Sequence, residues 1–167
     1  GGFTTAPLGA IAAVDEARVL VYFTALEKSP VERHLYRVRL DGSALERLSR
    51  EDGVHRVTFS PDRRFYVDVH SSHAILPSLS LRDADGAFES TLAPRRADLL
   101  AGLDVQVPEL LTVPAADGTP LQASLLKPRG FDPARRYPVI LAVYGGPGAP
   151  TVLDRWGGDV YFDQLLL

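Results

Sequence analysis

With 167 residues the chain has room for one large domain or parts of two, and an apolar share of 46% suits a buried core. A formal net charge of −3 gives no overall bias toward nucleic acid, although arginine outnumbers lysine 16 to 2. The lack of cysteine excludes disulfides, cysteine-ligated zinc and thiol catalysis within these residues, and leaves the redox compartment open.

The start, Gly1-Gly2-Phe3-Thr4-Thr5, has neither the basic nor the apolar region of a signal peptide, and no apolar run reaches the ~18 residues of a membrane span. Methionine is absent even at position 1, and the sequence ends in the apolar run Leu165-Leu166-Leu167. Both features lead us to expect a chain processed or cut from something longer.

The first part reads as β-structure. Val19–Thr24 is rich in β-branched and aromatic residues, and His34–Leu40 alternates apolar with polar as a half-buried strand should. Asp41-Gly42 is a strong turn signal, and Leu45–Leu48 returns as a short strand. The pattern then recurs: Val57-Thr58-Phe59, a Ser60-Pro61-Asp62 turn, Phe65–Val69, Leu79–Arg82, Asp85-Gly86 and Phe88–Leu92. The two Asp-Gly turns stand 44 residues apart. A period of roughly 40–50 residues with four strands each is the mark of β-propeller blades; two unrelated hairpins of a small sandwich are the alternative. Two blades cannot close a ring, so this reading implies further blades upstream.

Asp98–Leu103 reads as a short helical connector. Val107–Val113 and Leu121–Lys127 flank Asp117-Gly118 as a hairpin. After a Phe131-Asp132-Pro133 turn, Pro138–Val143 is a continuous apolar strand of the kind buried on both faces. Trp156–Leu167 begins something helix-like, with Val160, Phe162, Leu165 and Leu166 as one stripe. A helix after a buried strand predicts α/β architecture from about residue 107.

The sharpest local feature is Tyr144-Gly145-Gly146-Pro147-Gly148, directly after that strand. A small-residue turn leaving a buried strand exposes backbone N–H groups and lets a ligand approach the main chain. The loop at this position of α/β-hydrolases helps form the oxyanion hole. A tight turn with an amphipathic tyrosine at a strand end is the plain alternative.

An ordered succession of motifs carries the strongest signal. Glu109–Val113, Asp117–Leu121, Leu126-Lys127-Pro128, Phe131-Asp132-Pro133, Tyr137-Pro138-Val139, Val143–Pro147 and Arg155-Trp156-Gly157 occur in that order. This succession resembles the start of the catalytic domain in prolyl oligopeptidase family serine peptidases, most closely the dipeptidyl peptidase IV-like branch. Upstream, His55–Asp62, Asp68, Ser71-Ser72 and Pro77 are similar to the final propeller blade of that branch.

The resemblance implies antiparallel β-propeller blades over 1–95, a connector over 96–106 and the N-terminal part of an α/β-hydrolase domain over 107–167. It implies a serine exopeptidase that releases N-terminal dipeptides with Pro or Ala second, without metal or cofactor. Acylaminoacyl peptidase, prolyl endopeptidase and a non-catalytic propeller module are the alternatives. Peptide substrates, no nucleic acid, no membrane and a homodimeric parent are the expected associations.

Tyr144 matches the family tyrosine whose hydroxyl lines the oxyanion hole, with Gly145, Gly146 and Pro147 as its supporting turn. Ala149-Pro150 depart from the more polar residues usual after that turn. The family's nucleophile lies beyond this point, followed by Asp and then His. Here the last serine is Ser124, and all four histidines (His34, His55, His70, His73) fall in the propeller part. Asp154, Asp159 and Asp163 come too early in chain order for the acid. None of these residues is therefore expected to be nucleophile, acid or base, and the 167 residues alone are expected to be inactive. The family's amine-binding glutamate pair is also missing, and Glu51-Asp52 reads as a solvated inter-blade pair.

Overall fold

A computed structural model describes residues 8–143, 151–157 and 163–164. Two four-stranded antiparallel sheets follow one another along the chain. The first holds β1 (Leu8–Asp15), β2 (Leu20–Ala25), β3 (His34–Arg39) and β4 (Glu46–Arg47), in chain order. The second repeats the meander with β5 (Val54–Phe59), β6 (Phe65–Ser71), β7 (Ser78–Asp83) and β8 (Phe88–Ala93). The Asp-Gly turns close the equivalent β3–β4 and β7–β8 connections, with Gly42 and Gly86 at φ 82° and 91°. These are propeller blades, as the period predicts.

β1 is the strand least visible in sequence, because Leu8–Asp15 carries three alanines and a glycine and its β-branched residues, Ile11 and Val14, do not alternate. Its pairing with β2 is broken by register shifts between Leu8 and Ala13. Gly9 sits in this irregular stretch, where a Cβ would come within 2.2 Å of Thr24 Oγ1.

The blades meet through a shared apolar layer. Tyr22, Leu35 and Leu48 of the first blade pack with Tyr66 and Ala84 of the second, flanked by Val57 and Phe59. Phe59 lies between Tyr22 and Tyr66, with ring centroids 4.6 and 5.1 Å away. Full burial of side chains of this size contributes roughly 1.5–3 kcal/mol each. The opposite face of the first blade carries its own cluster of Phe23, Ala25 and Tyr36. A sheet with apolar side chains on both faces needs a neighbour on each side.

A short backbone seam joins the blades. Arg33 and Val54 form an isolated parallel bridge, Arg33 N–H donates to the Gly53 carbonyl at 3.1 Å, and His55 N–H donates to the Arg33 carbonyl at 2.9 Å. Asp85 doubles as an inter-blade link, accepting from Arg18 at 2.5 Å and from Arg37. The hydrogen bond from Arg18 is the main reason its carboxyl is held below the usual carboxylate range.

Downstream of the blades, a 3-10 turn spans Ala97–Leu100 and a hairpin pairs β9 (Glu109–Pro114) with β10 (Pro120–Leu125). The expected buried strand at Pro138–Val143 is not formed. These residues have no strand partner, and Val139, Ile140, Leu141 and Val143 are 77–84% exposed. A parallel-sheet strand takes its hydrogen bonds from strands beside it, and none runs there among the described residues. The α/β layer predicted from about residue 107 is accordingly not seen among them. Of the helix-like stretch Trp156–Leu167, residues 163 and 164 are helical, Trp156 and Gly157 are irregular, and the rest lies outside the described residues. No helix among the described residues is long and apolar enough to cross a membrane.

Gly53 tests the seam. It adopts φ +121°, and a Cβ would stand 2.4 Å from the Ser71 carbonyl oxygen. Gly53→Ala is expected to destabilise the blades by about 2–3 kcal/mol, read as a lower urea midpoint at an unchanged slope.

Candidate functional site

Strand alternation on the second blade sets up an unusual inner face. His55, Val57 and Phe59 of β5 pair across with His70, Asp68 and Tyr66 of β6, so one face runs from aromatic to ionisable. On β6 it is Tyr66, Asp68 and His70 that are buried, while Phe65, Val67 and Val69 are only half-buried. The ionisable end is completed from the first blade by His34, at the start of β3.

The three rings form a ladder. His34 and His55 have centroids 5.3 Å apart, and His55 and His70 stack at 4.5 Å. All three are almost fully buried, and each ring is fixed by hydrogen bonds at its edge. The Ser49 hydroxyl accepts from Leu35 N–H at 3.0 Å and hydrogen-bonds His34 Nδ1 at 2.9 Å. His34 Nε2–H donates to Glu32 at 2.8 Å. Burial, the main influence, pushes the His34 imidazole below its ordinary value. His55 Nε2–H donates to the Glu51 carbonyl at 2.8 Å, and Nδ1 faces the Asp68 carboxylate at 2.9 Å. Arg82 Nε lies 3.6 Å from the same carboxylate. His70 Nε2–H donates to the Asp52 carbonyl at 2.9 Å.

Glu51-Asp52 is thus more than a solvated pair. Its backbone carbonyls cap two histidines. The Glu51 carboxylate lies 3.4 Å from Arg95 and 3.7 Å from Arg82, and Asp52 pairs with Lys28. The ladder is no metal centre: stacked rings offer one another faces rather than lone pairs, and their edge nitrogens are engaged. No cluster of three or more candidate ligands exists among the described residues.

Beside this polar end, residues 151–157 return to the blades. Asp154 N–H donates to the Val31 carbonyl at 2.7 Å, and Asp154 Oδ1 accepts from His73 N–H at 2.7 Å. Trp156 N–H donates to Ser71 Oγ at 3.3 Å. Burial lowers the His73 imidazole, with Asp154 opposing. Further along, the Gln164 amide makes a reciprocal pair with the Gln106 backbone, at 2.7 and 3.0 Å.

Tyr144, Gly145, Gly146 and Pro147 lie outside the described residues, so the oxyanion turn has no geometry to report. Sequence reasoning assigned the histidines to the propeller but did not see the ladder. The signal for it was the polar periodicity Tyr66-x-Asp68-x-His70 opposite His55.

Two outcomes follow. Asp68→Ala strips the partner from His55 inside the protein and is expected to cost about 3 kcal/mol or more, measured by urea unfolding. His34 and His73 both have imidazoles lowered from 6.5 by burial, so the unfolded chain takes up protons first as pH falls. Their contribution to stability is full above pH 6.5 and declines below it, through the window down to the folded-state values. Glu32 and Arg47 around His34, and Asp154 beside His73, set the depth of that decline. Unfolding midpoints from pH 8 to pH 5 should fall on the acid side, and His34→Gln should flatten the profile.

Comparison with known proteins agrees with this architecture. Residues 6–77 match the family model described as "Dipeptidyl peptidase IV (DPP IV) N-terminal region". A protein of Emericella nidulans named "Probable dipeptidyl-aminopeptidase B" is 38% identical over 156 residues, covering 88% of this chain and 17% of its own length. One of the same name from Aspergillus clavatus is 34% identical over 157 residues, covering 89% and 17%. Among solved structures, Porphyromonas gingivalis dipeptidyl peptidase 4 superposes with a TM-score of 0.82 at 28% identity, over 93% of this chain and 22% of that one. The chain therefore spans about a sixth of the length of these curated relatives. With two blades of matching fold, a family-model match over the first blade and the opening strands of the second, and relatives along most of its length, the chain is similar to the dipeptidyl peptidase IV-like peptidases.

Proposed function

We propose that this chain supplies two propeller blades, a connector and the oxyanion-side turn of a serine-type exopeptidase that releases N-terminal dipeptides, favouring Pro or Ala at the second position. The observation that carries this reading is the likeness to proteins named dipeptidyl-aminopeptidase B and dipeptidyl peptidase 4 along some nine-tenths of the chain. Those names favour the dipeptidyl reading over an acylaminoacyl peptidase or a prolyl endopeptidase.

In this reading residues 1–95 form the blades, 96–106 the connector and 107–167 the beginning of the peptidase domain. The nucleophilic serine, its histidine base and the orienting carboxylate come from outside these residues, since the last serine is Ser124 and the last histidine His73. The serine attacks the carbonyl of the second residue and passes its proton to the base, which later gives it to the leaving amine. The carbonyl oxygen then carries the negative charge of the tetrahedral intermediate. The Tyr144 hydroxyl donates to that oxygen, together with a backbone N–H beside the serine. In this reading Gly145, Gly146 and Pro147 serve as the turn that supports Tyr144.

A donor that strengthens only as the oxyanion forms acts on kcat rather than on substrate binding. In the full-length parent, Tyr144→Phe should lower kcat for a dipeptidyl-proline reporter about ten- to thousandfold, with KM changed little; an unaltered kcat defeats the oxyanion role. The 167-residue chain alone should not turn over the same reporter, and turnover by it overturns the placement of the triad elsewhere.

A further inference from the structure

Resting on that reading, we infer that Asp154 is a positioning residue: it clasps the segment that follows the oxyanion turn to both propeller blades, and so fixes the peptidase part in register with the propeller. Asp154 is the hub of the contact. Its backbone N–H reaches the first blade at Val31, in the connection between β2 and β3, and its carboxylate takes the His73 N–H just beyond β6 of the second. The carboxylate is 18% exposed and the His73 side chain 15%, so water competes weakly for these bonds. A carboxylate accepting a backbone N–H is among the stronger hydrogen bonds available to a protein. Trp156 N–H adds a third tie at Ser71, two residues later.

The three ties meet at a single rim. Val31 stands three residues before His34, and Ser71 directly follows His70, so both anchors hang from the strand ends that the histidine ladder holds. Asp154 itself lies ten residues after Tyr144 and six after Gly148, the last residue of the glycine turn. Chain continuity makes the clasp the downstream anchor of that turn, holding Tyr144 within roughly 33–36 Å of extended chain at most. The His73 N–H calls for a side-chain oxygen at position 154. Asparagine keeps an oxygen for the His73 N–H, whereas alanine leaves that N–H without its partner.

The test uses the full-length parent with two readouts. Amide hydrogen exchange reports the clasp itself: Asp154→Ala should release protection at His73 while β6 stays protected. Inhibition reports positioning: a dipeptidyl boronate, whose serine adduct carries a tetrahedral oxyanion-like oxygen, should bind about tenfold or more weakly, while a product dipeptide keeps its affinity within about twofold. Asp154→Asn should restore boronate affinity to within about threefold of wild type. Should Asp154→Ala not fold, Ser71→Ala, which removes the acceptor of Trp156 N–H, is read by exchange at Trp156 and by the same boronate and dipeptide affinities. Unchanged exchange at His73 overturns the clasp. Exchange released with boronate affinity intact overturns the positioning role. Tyr144→Phe separates the two ideas: boronate binding weakened by Tyr144→Phe but not by Asp154→Ala sinks the clasp alone, and binding unchanged in both sinks the oxyanion reading with it.

Discussion

The contact on which everything else hangs is the packing of one blade on the next. A four-stranded meander presents apolar side chains to both sides and cannot hide either by itself. In this chain Tyr22, Leu35 and Leu48 meet Phe59, Tyr66 and Ala84 across that boundary. The Arg33–Val54 bridge sets the distance and registry of the two sheets. The turn residues are drawn into the same contact: Asp85, whose local task is to shape a tight turn, also reaches two arginines of the neighbouring blade. That ion pair is half-exposed and adds little energy; the apolar layer holds the blades together.

The boundary is not uniform along its length. It is aromatic and aliphatic at Phe59 and Tyr66, and ionisable at His55, Asp68 and His70, on one continuous face. Apolar contact is tolerant of direction, so an all-apolar boundary leaves neighbouring sheets some freedom to slide. A buried hydrogen-bonded network is not tolerant, because a displaced donor loses its partner and cannot find water. The ladder thus fixes the start of β3 against β5 and the end of β6, whereas the apolar half supplies most of the cohesion.

Much of this was legible in the sequence, for stated physical reasons. The strand His34–Arg39 and the repeated Asp-Gly turns follow from period-two alternation and from turn chemistry, both local properties, and Val57-Thr58-Phe59 marks the second half of β5. What escaped was non-local. β1 escaped because Ala-rich Leu8–Asp15 becomes a strand by pairing with β2 rather than by propensity. The ladder escaped because no local rule places Asp68 opposite His55 inside an inter-blade core; the face that read as polar is the buried one. Pro138–Val143 erred in the other direction. Its apolar run describes what the segment is suited to bury, and burial needs neighbouring strands that are not among the described residues.

The polar end of the boundary is also where the downstream chain touches the blades, and the two facts explain each other. A segment that must be held in one orientation needs anchors that do not slide, and anchors are fixed best by groups with directional partners. Val31 and Ser71 flank histidines whose rings are pinned at their edges by Glu32, Ser49 and the Asp52 carbonyl. Asp154 then bonds main-chain groups on both sides of the blade boundary. Because those contacts end on backbone groups of the blades, the anchor points follow where the strands stand. The precision with which the ladder places the two strand ends therefore passes directly to the segment that follows the tyrosine turn.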